Sequence, residues 1–369
     1  MAIEKKCRIG ILFLVAVLWM GFWGAGGWGE VDSKPPVQAP QVLVIPYYPV
    51  PDKLELCGEP VPLGSADIME RFDREFTSIV YSHARVYLWL KRTERYFPWV
   101  EKELASRGLP DDLKYLAVAE SDLMVSALSP AGAAGPWQFV SPTAARFGLN
   151  QTATVDERYD FEAAAEGAFK YLENLHETFQ NWALALAAYN CGEKRVQDEL
   201  RRQKVKSYYF LKLPGETERY VPRILAIKEV LGHPQKYGFN LPKGAGYQPL
   251  AVEKVALNLP VPVTVMAAAE AAGITYREFK VLNPFLVSDI VPAGALTVNV
   301  PEGRGKDFQK KIALIKTEHH PVCILHKVAR GDTLSGIAEK YDAAEPDICR
   351  WNNLQNTTVR LGQVLKIYR

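Results

Sequence analysis

Asp111-Asp112-Leu113-Lys114-Tyr115-Leu116-Ala117-Val118-Ala119-Glu120-Ser121-Asp122 is the stretch on which the reading of this 369-residue chain turns. Its spacing predicts a helix. Asp111 and Asp112 load the first turn with negative charge, where the helix dipole favours it. Leu113, Leu116 and Ala117 then recur at helical spacing, and the next members of that apolar stripe are Glu120 and Met124. Lys114, Ser121 and Asp122 fall off the stripe. A carboxylate on the core-facing side, near the negative end of a helix, is held towards its protonated form by poor solvation and by the dipole. That is the environment of a general acid working near neutral pH. Taken alone, Glu120 reads equally as a hydrogen-bonded core carboxylate, or as a residue that meets water at a fraying helix end.

Three further segments decide between these readings. They are Ser129-Pro130-Ala131-Gly132-Ala133-Ala134-Gly135-Pro136-Trp137-Gln138-Phe139, then Ala187-Ala188-Tyr189-Asn190-Cys191-Gly192, then Glu216-Thr217-Glu218-Arg219-Tyr220-Val221. With Glu120-Ser121 they resemble, in order and approximate spacing, the four motifs of the lytic transglycosylase (SLT) domain, a relative of goose-type lysozyme. The resemblance implies a mainly α, lysozyme-like catalytic domain with a cleft for the glycan strands of bacterial peptidoglycan. Two positions depart from the family pattern. Leu123 stands where Phe is frequent, and Pro136 where Leu is frequent. Neither is a reacting group.

Most glycosidases need two carboxylates flanking the scissile bond. Asp122 is two residues from Glu120 and points elsewhere on a helix. Glu193, Glu216 and Glu218 read as helix-end or surface residues. The resemblance implies a single acid/base, Glu120, which protonates the glycosidic oxygen between N-acetylmuramic acid and N-acetylglucosamine. The muramyl N-acetyl group steadies the oxocarbenium ion, and Glu120 then takes a proton from the 6-hydroxyl as a 1,6-anhydro ring closes. No water is consumed. Substrate-binding roles fall by the same resemblance on Ser121, Gln138, Tyr189, Asn190 and Tyr220. Gln138 has both a donor and an acceptor for an acetamido group, and the tyrosines and Asn190 can orient acid and substrate. Gly132 and Gly135 allow positive φ or a close backbone approach. Trp137 and Phe139 read as core beneath the cleft, and Trp182 to Ala188, apolar all round, as a central buried helix.

Composition sets the frame around this centre. At 48% hydrophobic and 23% charged residues, the chain can build two or three globular domains. A net charge of +2 without a basic cluster excludes nucleic acid as a partner class. Lys5, Lys6 and Arg8 precede an apolar run from Ile9 to Trp28 that glycines interrupt late. Residues 1–30 therefore read as a signal peptide, with an uncleaved membrane anchor as the rival. Small residues in the second half favour cleavage. Cys7 precedes the apolar run, so lipidation is not expected. An exported, periplasmic or envelope location follows. Residues 31–62, rich in proline and without helical period, read as an extended linker, and 63–240 as the catalytic domain.

The C-terminal part holds a repeat. His326-Lys327-Val328, Gly331-Asp332-Thr333-Leu334-Ser335-Gly336-Ile337-Ala338, Trp351-Asn352-Asn353-Leu354 and Leu361-Gly362-Gln363-Val364-Leu365-Lys366-Ile367 resemble a LysM module of β-α-α-β order over 321–369. Leu361 replaces the usual proline. Thr264 and Asn283 have the same nineteen-residue interval as Thr333 and Asn352. Residues 250–302 thus read as a second, degenerate LysM-like unit that lacks the Gly-Asp-Thr loop and serves as a spacer. The expected architecture is a lysozyme-like helical domain plus small α+β LysM (βααβ) modules. The resemblance carries glycan binding to Gly331, Asp332, Thr333, Asn353 and Leu354. Asp332 reads equally as a helix N-cap.

No metal-ligand spacing occurs, and no cofactor is expected. Without the first segment, Cys57, Cys191, Cys323 and Cys349 remain, which allow three pairings or free thiols. Two rivals stay open beside the transglycosylase. One is a lysozyme-type hydrolase, which needs a second acid in the cleft. The other is a catalytically silent cell-wall binding protein, for which an acid on an apolar stripe has no use.

Overall fold

The computed structural model describes residues 45–315 and 323–368. The segment 1–30, with its targeting reading, and residues 31–44 of the expected linker lie outside the described residues. Eight helices build the first domain: α1 (Ala66–Val80), α2 (His83–Ser106), α3 (Tyr115–Ser121), α4 (Ser141–Arg146), α5 (Phe161–Phe179), α6 (Trp182–Cys191), α7 (Glu193–Gln203) and α8 (Gly215–Gly232). α6 is the axis of the domain. Ala183 to Ala188 are all buried, and α5, α7 and α8 pack around it, as an all-round apolar helix requires. α3 and α1 lie on α8, which brings the Glu120 helix against the helix carrying Tyr220.

The expected linker is corrected by this packing. Residues 48–62 belong to the helical domain, through a hairpin of β1 (Glu55–Leu56) and β2 (Glu59–Pro60). Leu56 is fully buried in the helical core. The Glu59 carboxylate accepts from Trp182 N at 2.8 Å and Asn181 Nδ2 at 2.7 Å, at the start of α6. Tyr48 packs edge-on against Tyr237. The prolines stiffen a strap that caps the central helix.

The predicted helix from Asp111 to Asp122 is divided. Asp111–Lys114 is a 3-10 turn, and α3 proper ends at Ser121 because Asp122 and Leu123 both take left-handed φ, 55° and 59°. Leu113, Leu116 and Ala117 are buried as the stripe requires, but Tyr115, Val118, Ala119 and Ser121 are buried too, and Glu120 is half-buried. Met124, beyond the reversal, is exposed. Asp122 turns away from Glu120 to accept from Trp89 Nε1 at 2.9 Å and Arg85 Nη2 at 2.8 Å.

Two βααβ units follow. The first joins β3 (Val252–Leu259) and β6 (Gly294–Pro301) as an antiparallel pair, with a short pair β4 (Val263–Thr264) and β5 (Ile290–Val291) and helices α9 (Val265–Ala272) and α10 (Tyr276–Leu282) between. The second pairs β7 (Cys323–Lys327) with β8 (Val364–Tyr368) around two helices, Leu334–Tyr341 and Glu345–Trp351. The Thr and Asn positions of the two units make matching contacts. Thr264 and Thr333 each cap the following helix with the side-chain oxygen. Asn283 brackets Asn299 in β6 through its amide nitrogen and oxygen, and Asn352 brackets Lys366 in β8 in the same way. The first unit extends past residue 302. A further helix, α11 (Gly305–Ala313), adds Phe308 and Ile312 to its core, so the remaining two helices become α12 (Leu334–Tyr341) and α13 (Glu345–Trp351).

Candidate active site

Glu120 sits on the last turn of α3, facing a cleft of about 550 Å³ that Gln138, Tyr189, Asn190 and Tyr220 also line. Burial pushes its carboxyl up to about 7. The Tyr220 phenol, on α8, donates to Glu120 Oε1 and works against that rise. The charge of Glu216 adds to the rise, and the Arg223 guanidinium opposes it. Burial outweighs the hydrogen bond, so Glu120 is poised to hold or release a proton near neutral pH.

The other expected residues divide by what they still have free. Tyr189 donates its hydroxyl to Trp137 O at 2.8 Å, which ties α6 to the floor of the loop 127–139. Asn190 has its side-chain oxygen occupied by Thr217 Oγ1 at 2.7 Å, so the amide NH2 is what it can offer a ligand. Gln138, at a left-handed φ of 49°, donates Nε2 to Gly135 O at 2.8 Å. The donor expected for substrate is spent on its own loop, and the acceptor oxygen remains. Ser121 is buried and is not part of the cleft lining. Its hydroxyl bonds Pro136 O at 2.9 Å and Ala117 O at 3.1 Å, pinning the same loop from beneath. Trp137 and Phe139 are core residues, as expected, although Phe139 also reaches the cleft wall.

Tyr171, Thr143, Glu216 and Arg223 are lining residues to which the sequence reading gives no place in the cleft. Glu216 is exposed in the first turn of α8, a helix end as read, yet it borders the cleft with Glu120. Arg223, one further turn beyond Tyr220 on α8, also lines it, with Nε 3.3 Å from the buried Glu75. Helical spacing from Tyr220 was the available signal: residues three or four apart share a face. Glu216, Tyr220 and Arg223 form one such row.

The C-terminal residues lie in a unit with its own core, away from this cleft lining. Gly331, Asp332 and Thr333 form the turn into α12, and Asn353 and Leu354 follow α13. Asp332 is not the N-cap; Thr333 is. The Asp332 carboxylate instead accepts from Ala329 N at 2.7 Å and meets His326 Nε2 at 2.9 Å, contacts that hold it below the usual carboxylate range. Asn353 is exposed at a left-handed φ of 51°. Among the described residues, Cys57, Cys191, Cys323 and Cys349 are free thiols. Among the described residues no group of acidic, His and Cys side chains could hold a metal ion, and no helix is long and apolar enough to cross a membrane.

A carboxyl of raised proton affinity in a tyrosine-lined cleft is followed along the chain by two βααβ units. Residues 97–211 match the transglycosylase SLT domain family and residues 326–367 match the LysM domain family. Among particular proteins, the chain is 31% identical over 292 residues to the membrane-bound lytic murein transglycosylase D of Escherichia coli strain K12, and equally to that of a second E. coli strain. The match covers 75% of this chain and 64% of those relatives, so the chain spans a little under two thirds of their length. A solved structure, the 70 kDa soluble lytic transglycosylase of E. coli, aligns at a TM-score of 0.35 with 20% identity over 49% of this chain and 32% of that one, a likeness too slight to carry inference.

Proposed function

We propose that the protein is a peptidoglycan lytic transglycosylase of the cell envelope that cleaves the β-1,4 bond between N-acetylmuramic acid and N-acetylglucosamine. The observation that carries the reading is Glu120 itself: a carboxyl half-buried at a cleft, with its proton affinity raised to about 7 and its orientation set by Tyr220. In the protonated form it gives its proton to the leaving glycosidic oxygen. As a carboxylate it accepts the proton of the muramyl 6-hydroxyl, and the anhydro ring closes without water. Each turnover returns Glu120 to its starting state. The Gln138 oxygen and the Asn190 amide are the polar groups left to hold an N-acetyl group. Ser121 acts on the loop rather than on substrate. The LysM residues Gly331, Asp332, Thr333, Asn353 and Leu354 hold the polymer, and the N-terminal segment directs the chain to the cell envelope.

Glu216 gives the hydrolase reading its one observation, because it supplies a second carboxyl at the cleft. The products decide. Purified sacculi digested in heavy-oxygen water should yield muramyl ends lighter by one water and free of label. Reducing, labelled ends as the main product would assign the protein to the hydrolases. Absence of any cleavage would leave a binding protein.

A further inference from the structure

Segment Thr152–Tyr159 reaches both the cleft and the first βααβ unit. On one side it adds backbone to that unit: Asp156 N donates to Phe285 O at 2.8 Å, Val287 N donates to Thr154 O at 3.0 Å, and Val155 pairs with Leu286. The Val155 side chain is buried in the core of that unit rather than in the helical one. On the other side stands Arg158, buried together with Asp156. Its Nη2 bonds Asp156 Oδ2 at 2.7 Å and its Nε bonds Oδ1 at 2.9 Å. Its Nη1 is turned towards the cleft loop, where it donates to Gly132 O at 2.9 Å and Phe139 O at 3.1 Å. Those carbonyls stand either side of Gln138. Gly135 lies so close that a Cβ there would meet Arg158 O at 1.7 Å.

We infer that Arg158, held by Asp156, is a positioning residue for the 127–139 wall of the active site, and that through this segment the first βααβ unit is a structural part of the cleft. The inference rests on the glycan-cleaving reading of that cleft. A planar guanidinium suits the task, since it can satisfy a carboxylate with one edge and two carbonyls with another nitrogen. Lysine has one point of charge and cannot span both. Buried carbonyls that lose such a donor are left unsatisfied, and the loop relaxes to find water. A small displacement of Gln138 is then enough to slow a reaction that depends on substrate placement. The arrangement explains why a unit lacking the Gly-Asp-Thr loop remains fused to the catalytic domain.

The test compares Arg158→Gln, Arg158→Lys and Val155→Asp in the full chain. Amide hydrogen exchange and kinetics on soluble glycan strands are measured well below the melting temperature. In Arg158→Gln the amides of Ala134, Gly135 and Phe139 should exchange about tenfold faster or more, while α5 and α6 keep their protection. kcat should fall about 10–100-fold with KM within about threefold. Arg158→Lys should recover only part of the loss. Val155→Asp should loosen the same three amides by breaking the junction from the other side. Unchanged exchange in the loop overturns the inference, and so does a loosened loop with kcat within about twofold of the parent. A parent that releases no glycan product at all sinks the functional reading instead, and the exchange data then decide the clamp alone.

Discussion

The Tyr220 phenol donates a hydrogen bond to the Glu120 carboxylate from 100 residues further along the chain. The contact joins α3 to α8, and it sets two opposed effects on one proton. Burial favours the neutral acid, while a donor aimed at the oxygen favours the carboxylate. Because burial is the larger, the acid stays available up to about pH 7.

The first expectation concerns that proton directly. Activity should fall as pH rises through about 7, the value to which the Glu120 carboxyl is raised. Glu120→Gln should abolish turnover while preserving the fold. The stability consequence has a definite sign. A carboxyl whose folded pKa is raised contributes stability below its unfolded pKa, and this is lost as pH rises through the folded value. Glu120→Gln should therefore melt higher than the parent at pH 8, with the difference shrinking towards pH 5. Melting curves at both pH values check it. A variant that melts lower at pH 8, or keeps activity within about tenfold of the parent, would remove Glu120 from the acid role.

Tyr220→Phe takes away the donor that steadies the carboxylate. The Glu120 pKa should rise further, moving the alkaline limb of the pH–rate profile upward, and kcat should drop at least about tenfold because the acid loses its orientation. A kcat loss with the limb unmoved would mean that Tyr220 only packs α8 against α3.

Glu216→Gln separates transglycosylase from hydrolase. The Glu216 charge helps raise Glu120, so its removal should shift the alkaline limb downward while anhydromuramyl products persist. Loss of cleavage by more than about a hundredfold, with the Glu120 environment intact, would give Glu216 a catalytic role and favour water as the nucleophile.

Much of this site was legible because its signals are local. The spacing of Leu113, Leu116 and Ala117 marks a helix that the core encloses, with Glu120 near its end, and the apolar run at Trp182 specifies the central helix. Thr264 with Asn283 and Thr333 with Asn352 specify the two βααβ units because each Thr caps its helix and each Asn staples the closing strand. What stayed hidden depends on partners distant in sequence. Glu59 caps α6 across 122 and 123 positions, and nothing in a proline-rich stretch without period announces it. Asp156 and Arg158 carry no periodic signal, and their partners at Gly132, Phe139 and Phe285 lie in other segments. The Ser121 hydroxyl was given to substrate because its real acceptor, Pro136 O, is a backbone atom in another motif.

The strap formed by residues 48–62 invites a stability measurement. Glu59→Ala removes the acceptor for Trp182 N and Asn181 Nδ2 and should cost about 1–2 kcal/mol, the scale of a lost helix cap. Leu56→Ala, in the fully buried position, should cost about 2–5 kcal/mol. Urea unfolding checks both. Changes under about 0.5 kcal/mol, the range of ordinary surface substitutions, would return this segment to the status of a linker.

The C-terminal LysM unit has the opposite relation to the cleft. It is built on its own core; Ala153 packs against that core, and Arg350 donates to Val287 O and faces Asp289, Tyr276 and Tyr159. Removing residues 321–369 should therefore weaken binding to insoluble sacculi and leave cleavage of short soluble strands within about twofold of the parent. A tethered sugar-binding module raises the effective concentration of polymer at the cleft, a gain of about 10²-fold or more in apparent affinity when one strand reaches both sites. A short oligosaccharide reaches only one and should not register the loss. The first βααβ unit differs, because its backbone continues the Thr152–Tyr159 segment that supports the cleft wall. Sacculus pull-down and a soluble-strand assay on the same truncated protein separate the two behaviours. Collapse of soluble-strand activity after removal of 321–369 would make the second unit part of the catalytic fold as well. Full retention on sacculi would place the polymer contacts elsewhere than Gly331, Asp332, Thr333, Asn353 and Leu354.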